Sequence, residues 1–166
     1  MTASHPEAPP LPAPSLMLER PADALEREAL AGAMEALAPL MDGAGGPDSA
    51  LLVVSDNAGR ASALQFWADA QRSGVGLANP ELFPWCLANS PGAALSRRFG
   101  LAGPNITWLD GPAVLAQAWQ AAHDMLQAGR AARVFLVALH LGQDGQAGWL
   151  KAWVATAGDS AQAQRV

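Results

Sequence analysis

The sequence predicts an α/β fold of three layers: a mixed, mostly parallel sheet, helices on both faces, and a closing antiparallel hairpin strand. Three observations lead there. Short apolar runs bounded by turn residues, such as residues 50–57 and 133–141, alternate with longer segments whose apolar side chains recur at helical spacing. Glycine or proline punctuates the junctions between them. The last two apolar runs are separated by Gln143, Asp144, Gly145 and Gln146, which is hairpin chemistry.

Residues 1–15 are rich in proline and hold little that can pack, so they read as a disordered or extended leader. The domain begins near Leu16 and runs to residue 157, followed by a loose tail over 158–166. Asp23 and Glu26 form a capping-box pattern, and Leu30, Met34, Leu37 and Met41 then mark one helical face. The glycine-rich break over 42–47 reads as a flexible connector. Residues 50–57 fit a buried parallel strand. A second helix carries Leu64, Trp67 and Gln71 on one side and ends at Ser73 and Gly74.

Ser90 and Pro91 open a short helix, because serine can accept free amide hydrogens and proline suits the first turn. Gly100, just past Phe99, suits a left-handed exit. Gly103 and Pro104 turn the chain into a short strand, NITWL. Gly111 and Pro112 start a long helix with Val114, Leu115, Ala118, Trp119, Ala122 and Leu126 inward and Gly129 at its end. RVFLVALHL is the most apolar strand, and GWLKAWVAT reads as its antiparallel return.

With 166 residues the chain reads as one domain. Ten basic residues stand against 15 acidic ones, without a cationic cluster, so nucleic acid is not an expected partner. No apolar run reaches the ~20 residues needed to span a bilayer. A single cysteine, Cys86, and no export signal over the first twenty residues lead us to expect a cytoplasmic protein. Six tryptophans and only 15% charged residues leave more apolar surface than a small monomer hides well, which points to a protein partner.

Catalytic signatures are sparse. The glycine-rich DGAGGPDS precedes a strand, whereas a phosphate loop follows one. Neither a G-x-S-x-G elbow, an H-E-x-x-H nor a C-x-x-C is present. Of three histidines, His5 sits in the leader and His123 beside Asp124 reads as part of a solvated helix face, so no metal or other cofactor is expected. Cys86, far in sequence from His140, has no local group to activate its thiolate and reads as inert. Asp110 reads as a helix cap rather than an acid or base.

The segment FPWCLANSPGAALSRRFGLAGPNITW resembles the β-ketoacyl synthases of the thiolase superfamily. Matching positions are Phe83, Asn89, Ser90, Gly92, Phe99, Gly100, Gly103, Pro104 and Thr107, and the resemblance extends over most of residues 20–157. It implies a truncated, thiolase-like N-terminal half-fold. The family's nucleophilic cysteine caps the long helix, and that position falls here at Gly111 or Pro112, neither of which can attack a thioester. The family's catalytic histidines belong to a second half-fold that the chain does not contain. Its central first strand is missing as well. Either the remaining strands close up, or residues 16–18 or another chain supply a replacement.

The resemblance therefore implies a non-catalytic subunit. Its role is similar to that of the chain-length factors that pair with an active ketosynthase in polyketide, aryl-polyene or fatty-acid-like synthesis. Pairing is expected through Asn105, Ile106, Thr107 and Trp108, as an edge strand continuing one sheet through both subunits. An acyl carrier protein is a further possible partner. The alternatives are a homodimer with a structural or regulatory role, and a small hydrolase or transferase using Cys86 or Asp110.

Overall fold

The computed structural model describes residues 11–20, 26–110, 114–141 and 148–158. In chain order these form β1 (Leu16–Arg20), α1 (Glu26–Met41), β2 (Ser49–Ser55), α2 (Arg60–Ser73), two 3-10 turns (Val75–Leu77 and Phe83–Cys86), α3 (Ser90–Phe99), β3 (Asn105–Leu109), α4 (Leu115–Gln127), β4 (Arg133–His140) and β5 (Gly148–Thr156). The expected capping box at Asp23, the hairpin residues 143–146 and the Gly111–Pro112 helix start lie outside the described residues, as do positions 1–10 and 159–166.

One five-stranded sheet has the order β1-β5-β4-β2-β3. β2 is parallel to β4 and to β3, while β5 is antiparallel to both β4 and β1. β2 buries all seven of its residues and β4 its six central ones. That is why both read as unbroken apolar runs: each is covered on both faces.

The two faces carry separate cores. α1 and α3 place Leu30, Leu37, Met41, Leu95 and Phe99 against Leu51, Val53, Phe135 and Val137. α4 places Ala118, Ala122, Met125 and Leu126 against Leu52, Val54, Leu136 and Ala138, with Val114, Leu115 and Trp119 packed at the margin. α2 contributes to neither core. Its Leu64 and Trp67 are exposed, and the helix packs instead on the two 3-10 turns.

β2 lies directly against β4, so the strands have closed up where the resemblance placed a central first strand. Residues 16–20 nevertheless form a strand, at the far edge against β5. The chain just before it is tied down too: Ser15 N donates to Ala152 O at 2.7 Å, and Trp153 Nε1 donates to Pro12 O at 2.9 Å.

One loop and one helix face differ from expectation. The 42–47 break is not a free connector, because Gly46 N donates to Gly100 O at 2.8 Å and Ala102 N to Gly46 O at 2.9 Å. These bonds form a parallel bridge that no local pattern reveals. His123 is not on a solvated face either: it is half-buried, with Nδ1 3.1 Å from Trp119 O and its ring edge-on to Trp119.

Candidate functional site

β3 is the feature on which the expected function rests, and its surroundings explain the motif residues around it. Gly100 leaves α3 with φ 66°, the left-handed exit that favours glycine. Gly103 passes so close to the start of β2 that an added Cβ would lie 2.5 Å from Ser49 O. Pro104 O then accepts from Leu51 N at 2.8 Å, setting β3 in register beside β2. Gly92 permits α3 to lie on β3, since a Cβ there would come within 2.8 Å of Asn105 Oδ1 and 3.3 Å of Thr107 Oγ1. Asn105 Nδ2 in turn donates to Ser96 Oγ at 2.9 Å.

β3 pairs with β2 alone, leaving its outer edge open among the described residues. Asn105, Ile106 and Leu109 are exposed, while Thr107 and Trp108 are half-buried. Trp108 packs at the margin of the α4 core. Thr107 Oγ1 is shielded from water and has no hydrogen-bond partner among the described residues. A shielded hydroxyl without a partner costs about 1–3 kcal/mol.

Phe83 lies in the second 3-10 turn, exposed, with its ring edge-on to Phe66 at 6.0 Å. Asn89 stands at the cap position of α3 without a side-chain bond. Ser90 does not act as the expected acceptor of amide hydrogens; it donates its hydroxyl to Pro84 O. The Cys86 thiol donates to Leu82 O at 3.3 Å. Asp110 is exposed, and the described part of α4 follows Val114. Gly111 and Pro112 fall outside the described residues.

A polar cluster that the sequence did not disclose sits at the carboxyl ends of the parallel strands, where open α/β sheets place their ligands. His140 Nδ1 lies 2.8 Å from Asp56 Oδ1, 84 positions away in sequence. The imidazole stacks on Trp149, and its Nε2 is shielded without a partner among the described residues. Beside it, Asn57 donates to Leu141 O and accepts from Leu141 N at 3.0 Å. Ser55 Oγ accepts from Ala58 N at 3.1 Å. The Asp56–His140 and Asn57–Leu141 bonds splice the ends of β2 and β4. Among the described residues, no group of three or more His, Cys, Asp or Glu side chains is gathered for a metal, and no helix is long and apolar enough to cross a membrane.

No protein-family model matches the sequence, and no curated protein matches it. Solved structures do match the fold. A type II PKS acyl-carrier protein in complex with its ketosynthase aligns with TM-score 0.64 at 12% identity, over 86% of this chain and 46% of that one. The ishigamide ketosynthase/chain length factor aligns with TM-score 0.60 at 15% identity, over 69% and 37%. A ketosynthase in complex with its chain length factor from Xenorhabdus doucetiae aligns with TM-score 0.58 at 13% identity, over 83% and 75%. The chain thus spans less than half the length of the first two structures. The mixed sheet covered on both faces, together with these alignments, gives the chain the thiolase-like α/β fold of ketosynthases and chain length factors.

Proposed function

We propose that the chain is a non-catalytic ketosynthase-like subunit that pairs with an active ketosynthase through the outer edge of β3, in polyketide, aryl-polyene or fatty-acid-like synthesis. The observation that carries this reading is an open edge strand, half apolar, in a fold shared with ketosynthase and chain-length-factor complexes. Exposed edges of this kind are templates for strand addition and are usually blunted by charge, yet NITWL holds no ionisable residue. The family's nucleophile position, assigned by sequence likeness to Gly111 or Pro112, offers no side chain able to carry an acyl group. The chain's contribution is then to complete the sheet and shape the partner's site. An acyl carrier protein would meet the assembled pair.

The test is co-expression with the ketosynthase encoded nearest to this chain, followed by light scattering of the purified material. A stable one-to-one complex is expected. A monodisperse monomer that ignores the ketosynthase would overturn the reading, and self-pairing alone would replace it with a homodimer.

A further inference from the structure

We infer that the excursion over residues 60–89 forms the second half of the partner-binding face, covering the same subunit that pairs with β3; the inference rests on that reading. Among the described residues, nine large apolar side chains are exposed. Six of them, Leu64, Trp67, Val75, Leu77, Phe83 and Leu87, belong to this excursion, and two more, Ile106 and Leu109, lie on β3. Val75 and Leu77 are 75% and 78% exposed, although both sit in defined backbone.

The excursion is built, not slack. An added Cβ on Gly59 would meet Cys86 O at 2.8 Å, so the second 3-10 turn rests directly on the start of α2. Phe66 and Phe83 pack edge to face, and Asn79 N donates to Asp69 Oδ2 at 2.8 Å. A fixed apolar surface of this size on a small domain marks an interaction site. Continuity with β3 runs through α3: Ser90 joins it to Pro84 of the second turn, and Gly92 and Ser96 lie against Asn105.

Area decides between a strand edge alone and a wider face. A stable interface takes about 20–30 residues a side, and β3 supplies 5 residues. The excursion supplies the remainder. Its charged residues are Arg60, Asp69, Arg72 and Glu81, two basic and two acidic, and Arg72 already pairs with Asp69 at 3.5 Å. A neutral apolar face suits a subunit of the same fold rather than a strongly charged partner.

Hydrogen exchange on the full chain, alone and mixed with the ketosynthase encoded nearest to it, tests the assignment. Protection is expected in both 60–89 and β3. The Trp67→Ser/Leu77→Ser double variant changes exposed side chains, so it should melt like the parent while Kd for the ketosynthase rises at least tenfold. Protection of β3 alone, with unchanged Kd in the double variant, would overturn the inference and leave the edge pairing standing. Protection of neither segment would overturn both. Protection of both segments by self-association, without the ketosynthase, would overturn the occupant assigned here.

Discussion

The α-carbon of Gly103 faces the main-chain oxygen of Ser49 with so little room that a methyl group there would sit 2.5 Å from it. The obstacle is backbone, which cannot swing aside, and the turn it would displace sets β3 beside β2. Gly103→Ala is expected to lower stability by about 1–3 kcal/mol. Gly76, with open space around it and no left-handed φ, is the control. Gly76→Ala should leave the denaturant midpoint nearly unchanged, and equal effects at both positions would contradict the close approach.

Asn57 acts as a piece of strand made from a side chain, since its amide satisfies both main-chain groups of Leu141. Truncation strands a buried donor and a buried acceptor together. Asn57→Ala should therefore cost about 2 kcal/mol or more and lower Tm by several degrees, about 2–4 °C for each kcal/mol in a chain of this size. Calorimetry would show it.

Those two cases also show what could be read in advance. Gly100, Gly103 and Gly129 announce themselves, because left-handed exits and tight approaches have a residue signature. β4 does too, since a strand buried on both faces needs an apolar run. Asn57 and Leu141, or His140 and Asp56, leave no such trace: each pair is 84 positions apart and is joined only when β2 lies beside β4. The same holds for β1, whose five residues become a strand through pairing with β5 rather than through their own pattern. α2 differs from the other helices: Leu64 and Trp67 do share one side, as their spacing suggests, but that side faces outward instead of a core.

That difference between α2 and the sheet has a measurable counterpart. Leu136 is fully buried at the centre of β4, so Leu136→Ala should cost about 2–5 kcal/mol. Leu64 is 55% exposed and belongs to neither core, so Leu64→Ser should change monomer stability by no more than about 0.5 kcal/mol. Urea titrations of the two variants separate the cases, and a large loss at Leu64 would mean that α2 packs more deeply than described.

Covalent labelling separates a subunit from a catalyst. A thiolate is the nucleophilic form of cysteine and is made by a neighbouring base, cation or helix N-terminus. Cys86 lies at the end of a 3-10 turn, not the start of a helix, and its thiol donates to Leu82 O at 3.3 Å. The carboxylate-backed imidazole of His140 is engaged with Asp56 at another point, the end of β4. Incubating the chain with an acyl thioester should therefore leave its intact mass unchanged, whereas the paired ketosynthase acquires the acyl group. An acyl adduct mapped by peptide mass spectrometry to Cys86 would make the chain a catalyst in its own right and remove the subunit reading.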